Sequence, residues 1–513
     1  MLLEIAALSA LSEPCDGQEI KYIETSKPEL LNPIDASRDV IGVRITSLLF
    51  RGLVGQDRLG QWIPEMAVDL PAFNEEKKEL IAKLKPGLLW PDGTPVTATD
   101  VVHSFRIYTD SRSHYGNVDI FENFESFEAV DEQTVRIKLK RADRRSISRT
   151  GFHVMPKHVV GEDTYIAEEN PFNLAPMGAG PYKVVDADLN VVEFELNPAY
   201  HRAAPEIEDI QMIVNPTESV HQPLLLAGFI DLDPVVRPLD LQQLQASSDI
   251  KVLPYDSQSW YGFAYNCNKG ILQFKEVRQA LTMAFNQQEA FQANFLGNGQ
   301  LITGPYTGSS FCFNPDVQPY GYAPSSVDTL LDELGLIDES GDGIREYEGE
   351  PIKLKIVLAK SMSQENKNVC ENYAKQIEAK QIQVDVVYMD YNLWYETVFF
   401  NRDFDITFVQ WKFDEGSNIY PLFSNTQTEP GRYNLVQLDN EEIEEQLNLF
   451  RNSTDDAERA DTCQRLHQLI HEEAPYTFLW TLDHSLAYRK DTIAKLRIHP
   501  FYFFTYIDEW ILN

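Results

Sequence analysis

The chain is 513 residues long and carries 44 Lys plus Arg against 79 Asp plus Glu, a net charge of −35 at pH 7. With 43% apolar and 11% aromatic residues it can bury a large core, which excludes general disorder; the length predicts about two to four domains, or one folded unit of several lobes. The acidic balance excludes nucleic acid as the main partner, since phosphates need clustered Lys and Arg, and disfavours anionic lipid for the same reason.

At the N-terminus, Met1 to Ser12 is apolar and rich in small residues, and Ala10-Leu11-Ser12 has the form of a signal-peptidase site. No basic residue precedes it and Glu4 interrupts it, so two readings stay open: residues 1–16 as the remainder of an export signal, or a plain apolar segment. Ser12-Glu13-Pro14 is a poor lipobox for Cys15. Further on, Gln18 to Glu24 alternates like a strand, and Val40 to Leu53 has helical apolar spacing. Lys78 to Leu84 and Thr134 to Leu139 read as strands. Between them a helix opens at Thr97, with Asp100 placed to favour its N-terminus. Lys275 to Phe295 predicts one long helix with Val277, Ala280, Leu281, Ala284 and Phe285 on one face. Ile352 to Leu358, Val384 to Met389 and Asp405 to Val409 are strand candidates, and Ser453 to Ala474 is a helix ending before Pro475. The interleaving predicts an α/β fold of lobes with mixed sheets. No apolar run reaches the roughly 18 residues of a membrane span.

The cysteines are Cys15, Cys267, Cys312, Cys370 and Cys463, with no CxxC. They read as mostly buried thiols; one disulfide is allowed, with no pairing indicated. No GxxxxGK[ST], GxGxxG or GxSxG is present. Asp338 to Gly343 opens like a calcium loop, but Gly349 falls where a bidentate Glu is needed, so the segment reads as a turn. Cys463, His467 and His471 recur every fourth residue on a predicted helix, a stack of metal-ligand types. Against that, Gln468 stands where HExxH needs Glu, and Ala460, Cys463, Ile470 and Ala474 form an apolar stripe that includes His467. The helix is therefore expected to face a core, and no metal, cofactor or catalytic constellation is predicted. The enzyme alternative is a hydrolase using a Ser with His153 or His158.

An ordered set of motifs resembles the family 5 extracellular solute-binding proteins, the peptide and nickel receptors of ABC importers. Leu31-Asn32-Pro33 resembles the family's LDP, and Ser47 to Leu53 followed by Trp62 to Ala67 resembles its LYEGL and PxLA segments. Lys83 to Val102 (KLKPGLLWPDGTPVTATDVV) is similar to the family signature LRxGVxFxDGxPxTAxDV. Gly178 to Tyr182 resembles GTGPY, Leu226 to Asp231 the xxGxxD turn, Val277 to Ala280 the VRQAL helix, and Gly343 to Arg345 the DGDGxR turn. Phe404-Asp405 and Trp411 to Asp414 resemble the YDI and GWxxD segment. The set spans roughly residues 18 to 510.

The resemblance implies a two-lobed periplasmic-binding-protein-like fold (class II, mixed sheets) with an extra domain inserted in the first lobe. Carried over, domain I comprises residues 17–53, 172–262 and 485–513, domain II 54–171, and domain III 263–484. It implies no enzyme but a substrate-binding protein that encloses a peptide between lobes and delivers it to ABC permease subunits. Such a protein is expected to be monomeric and exported to the periplasm or cell envelope. In Trp411-Lys412-Phe413-Asp414 the resemblance gives Asp414 the peptide α-ammonium and lays Trp411 along its backbone. Phe408 stands where long-peptide receptors can carry a basic residue, Gln410 replaces the usual Gly, and Lys412 adds a cation. Weaker candidates are Phe413 in the same segment, Tyr265, Asn266 and Trp480 near the domain crossings, and Glu29 in the loop Ser26 to Leu31. The same fold with a nickel chelate, haem or oligosaccharide is the nearest alternative.

Overall fold

A computed structural model describes residues 18–513, apart from 38, 58–60, 77, 114, 116–117, 309, 413–417, 454 and 500–501 and the side chains of 118–119 and 258. The described residues form two compact units, one running to Tyr255 and resuming with His484–Asn513, the other Asp256–Asp483. The chain passes from one to the other within two strands, Ile250–Tyr265 and Tyr476–Arg489.

In the first unit Glu19–Glu24 is an inner strand. It runs parallel to Asp209–Val214, with Tyr22 opposite Met212, and parallel to Leu232–Asp233 on its other edge. Its buried Glu24 has a partner: it receives two bonds from the Arg44 guanidinium, at 2.8 and 2.9 Å. Asp209–Val214 continues antiparallel into Val191–Leu196 and then Tyr182–Ala187, which makes the sheet mixed. The helix Val40–Leu49 ends against the glycine turn before Tyr182. A Cβ on Gly178 would lie 1.9 Å from the Leu49 carbonyl oxygen, and one on Gly180 2.3 Å from that of Leu48, so only glycine fits either place.

A separate four-stranded antiparallel sheet holds Ala72–Phe73, Glu79–Lys83, Thr134–Leu139 and Phe124–Ala129. The Trp-Pro-Asp-Gly-Thr-Pro run is the turn leading from it to the helix Ala98–Thr109. There the Trp90 N–H donates to the Thr94 carbonyl at 2.8 Å, and Asp92 accepts the Thr94 N–H at 2.9 Å. Asp100 accepts the Thr97 N–H at 2.8 Å and the Lys157 N–H at 2.9 Å, so the capping residue also ties down a distant loop.

In the second unit Lys353–Ala359 runs parallel to Gln383–Met389 and to Ile406–Lys412, and the last pairs antiparallel with 259–265. Where one helix was expected over 275–295 there are two, Lys275–Met283 and Gln287–Phe295. The break falls at Asn286, whose side chain accepts the Glu289 N–H and starts the second helix. The later helix, expected from Ser453, runs over Asp456–Glu473 and is capped by Asp455, whose side chain accepts the Glu458 N–H. The Asp338 segment is a turn in which the carboxylate accepts the N–H groups of Gly341, Asp342 and Gly343. Against the expectation of mostly free thiols, Cys312 and Cys463 form a disulfide with Cα atoms 5.0 Å apart, while Cys267 and Cys370 are free and buried. Among the described residues no helix is long and apolar enough to cross a membrane.

The end of Asp456–Glu473 is held by Arg278, 2% exposed, whose guanidinium donates to the carbonyls of Glu473, Ala474, Leu272 and Gln273. Arg278→Met strips a charged donor from these buried oxygens. It is expected to lower unfolding stability by about 3 kcal/mol in a urea titration, and an unchanged midpoint would disprove the brace. Replacing Cys312 and Cys463 together by Ala releases a cross-link spanning 151 residues. The expected loss is about 2–4 kcal/mol, read as a lower melting temperature that reducing agent does not lower further.

Candidate ligand site

The strand Ile406–Lys412 (ITFVQWK) is rich in β-branched and aromatic residues and is buried through Val409. It then emerges: Gln410 and Lys412 are exposed and Trp411, opposite Trp260 in the ladder, is half-buried. The Trp411 ring meets Phe399 at 6.1 Å and 79° and Tyr433 at 6.0 Å and 88°. Behind it lies Tyr476: burial pushes that phenol far above its ordinary range, and the neighbouring Trp411 N–H pulls the other way. Phe413 and Asp414 lie outside the described residues.

The neighbours of Trp411 are set by unusual backbone. The helix Tyr391–Tyr395 widens into a π turn over Glu396–Phe400, closed by the Asn401 N–H on the Glu396 carbonyl at 2.9 Å. Such turns are uncommon and recur at functional sites. Arg402 follows with φ +53°, and its guanidinium donates to the carbonyls of Val398 at 3.2 Å, Glu429 at 3.3 Å and Arg432 at 2.9 Å. The Gly431 N–H bonds the Phe399 carbonyl at 2.7 Å. Gly431 itself has φ +82°, and a Cβ there would sit 3.0 Å from the Phe400 ring. The π turn and the segment carrying Tyr433 are thus locked together. Phe399, Arg402, Gly431 and Tyr433 belong to no motif of the sequence; their one signal is the aromatic density of Tyr391 to Phe400 (YNLWYETVFF).

The remaining candidates are placed as follows. The Tyr265 hydroxyl lies 2.6 Å from that of Tyr373 and 2.5 Å from that of Thr477, wholly buried. Asn266 donates to the carbonyls of Arg402 and Phe404 at 3.1 and 3.3 Å, which positions the Arg402 turn. Trp480 is buried against Phe291, stacked at 5.4 Å, and Phe295. All three are core residues of the second unit. Glu29, in the first unit, is exposed in its loop.

The Cys463, His467 and His471 stack is absorbed by structure. Cys463 is in the disulfide. His467 Nδ1 accepts the Asn314 N–H at 3.0 Å, so its proton sits on Nε2, 3.1 Å from the Thr303 hydroxyl oxygen. His471 Nδ1–H donates to the Thr303 carbonyl at 2.8 Å. Among the described residues no group of three His, Cys, Asp or Glu is arranged to hold a metal. His153 is half-buried and stacked on Phe50, while His158 meets Asp92 at 2.8 Å.

Burial lowers the His467 pKa to about 4, with the neighbouring His471 adding to the fall. Unfolded, the group titrates near its ordinary 6.5, so between those values the unfolded chain binds more protons and stability falls as pH drops from about 6.5 to 4. The urea midpoint is expected to be lower at pH 4.5 than at pH 7.5, and His467→Gln to shrink that difference; an equal pH dependence in both proteins would contradict a buried neutral His467.

Comparison with known proteins identifies the family and the fold. The family model described as bacterial extracellular solute-binding proteins, family 5 Middle, matches residues 61–431. The oligopeptide-binding protein AppA of Bacillus subtilis is 25% identical over 530 residues, covering 99% of this chain and 94% of that protein. Among solved structures, AppA from Bacillus subtilis in complex with a nonapeptide superposes with a TM-score of 0.76 at 23% identity, covering 98% of this chain and 100% of the other. HbpA2 from Haemophilus parasuis reaches 0.84 at 18% identity, covering 96% and 100%. NikZ from Campylobacter jejuni in complex with Ni(L-His) reaches 0.77 at 20%, covering 97% and 100%. The fold is the two-lobed one of periplasmic solute-binding proteins, and the chain belongs to the family 5 bacterial extracellular solute-binding proteins.

Proposed function

We propose that this chain is the peptide receptor of an ABC importer, a monomer that works in the periplasm or at the cell envelope and hands its ligand to permease subunits. The observation that carries the reading is Trp411, which stands where the strand Ile406–Lys412 emerges from the core, followed within three residues by Asp414. An extended peptide bound there through its main chain is held largely independently of its side chains. The Asp414 carboxylate pairs the α-ammonium, because a desolvated ammonium must be paired and hydrogen-bonded. The relative named for oligopeptides supports peptide as the cargo. The buried Cys312–Cys463 disulfide supports an oxidising compartment. Residues 54–171, with their own four-stranded sheet and the helix Ala98–Thr109, are proposed as the extra domain between the pieces 17–53 and 172–262 of domain I, with 263–484 as domain III.

A second reading keeps the fold and changes the solute. Relatives named for haem and nickel binding favour it, and metal and pigment analysis of the purified protein separates the cases. The peptide reading is tested by calorimetry with alanine peptides of graded length, free and N-acetylated. Free peptides are expected to bind, and both acetylation and Asp414→Asn to cost about 2–5 kcal/mol. Equal affinity for free and acetylated peptides would sink the role of Asp414.

A further inference from the structure

The aromatic surface beside Trp411 goes beyond what main-chain capture requires. Trp411 and Tyr433 stand at 88° with centres 6.0 Å apart, and Phe399 sits under both, at 79° and 82°. Phe399 is 5% exposed, whereas Tyr433 is 43% and Phe400 47% exposed. The buried ring acts as the base of a corner whose two other rings reach solvent. Three local features hold that corner, and each departs from ordinary backbone. The π turn Glu396–Phe400 brings Phe399 under it. Arg402, in the left-handed region, bridges Val398 to Glu429 and Arg432. Gly431, also left-handed, lets its own segment close onto the Phe400 ring. Glycine takes that conformation freely, but a π turn and a left-handed arginine persist only where the surroundings over-determine them, and such backbone gathers at binding sites.

We propose that the Trp411–Tyr433 corner is a side-chain subsite that selects ligands carrying an aromatic ring, with Tyr433 the specificity-determining residue. Two rings set at right angles offer a guest ring one face and one edge, the arrangements that aromatic pairs prefer over a flat sandwich. The Arg402 guanidinium beside the corner weighs against a cationic guest. Cargo capture is then not uniform: main-chain pairing sets the baseline, and the corner adds preference at one ligand position. The inference rests on the reading of Trp411 as part of the peptide site.

The test takes the tightest-binding alanine peptide of the graded panel and moves a single Phe through its positions. At one position Phe is expected to tighten binding by about fivefold or more, the range of an aromatic pair. Tyr433→Ala should bring that Phe-to-Ala affinity ratio close to one, and Tyr433→Phe should keep it. If Tyr433→Ala binds neither peptide, Tyr433→Leu carries the same comparison. Alanine peptides that bind with no Phe preference at any position, or a ratio that survives Tyr433→Ala and Tyr433→Leu, overturn the subsite alone. Failure of every peptide to bind overturns the peptide reading and the subsite with it.

Discussion

The guanidinium of Arg278 sits at the C-terminal end of the helix Asp456–Glu473, where unpaired carbonyls and the helix dipole concentrate negative charge. Its bonds to the Glu473 and Ala474 carbonyls fix the residue at which that helix stops. Ala474, with φ +46°, turns the chain, and the strand Tyr476–Arg489 begins two residues later. From that point the register is determined. Tyr476 comes to lie behind Trp411, and the Thr477 hydroxyl meets those of Tyr265 and Thr282 at 2.5 and 2.7 Å. The Thr282 hydroxyl donates to the Arg278 carbonyl at 3.0 Å, so the chain of contacts closes on the residue where it started. The arginine of the VRQAL motif is thus a brace several contacts removed from the proposed ligand.

The aromatic corner depends on that brace on one side and on the π turn on the other. Trp411 is held from behind by Tyr476, whose place follows from the helix end, and from the side by Phe399, whose place follows from the π turn. An α-helical continuation through 396–400 would rotate Phe399 by a large part of a turn and remove the base of the corner. The wider turn closes fewer good hydrogen bonds. Asn266 and Arg402 compensate by tying the following turn to surrounding carbonyls.

Much of the fold was legible in the sequence because its signals are local. Thr134–Leu139 was read to the residue, since alternation there matches a sheet with one buried face. The Trp90 to Pro95 turn is likewise local, built on its own Pro and Gly, and the glycines before Tyr182 permit a close approach. The single helix over 275–295 was misread because the apolar stripe continues across Asn286, while the cap that divides it is one side chain making one bond. Cys312 and Cys463 could not be paired from a separation of 151 residues. At the candidate site, Trp411 lies in a motif, but Phe399, Arg402 and Tyr433 are brought beside it by a π turn and a left-handed arginine. Neither conformation has a composition signature.

Residue types that look chemical in the sequence are spent on structure here, and the hydrogen-bond capacity of each shows how. A ring nitrogen that accepts a backbone N–H has no lone pair left for a metal, which is the state of His467 Nδ1. His471 Nδ1 carries the proton it gives to Thr303, and the Cys463 sulfur is covalently bound. Asp338 turns both carboxylate oxygens towards backbone N–H groups of its own turn. These groups share one task, fixing irregular backbone where regular ladders cannot. A receptor whose baseline affinity comes from main-chain pairing has most need of that kind of rigidity, because hydrogen bonds to an extended ligand are productive only when donors and acceptors are already in place. The total of −35 follows the same division. Carboxylates such as Glu24 and Asp100 are buried and paired as scaffold, while Glu441, Glu442 and Glu445 cover the solvated face of the helix Glu441–Asn452. Under the proposed subsite, discrimination between ligands falls to neutral rings at the Trp411 strand end rather than to the net charge.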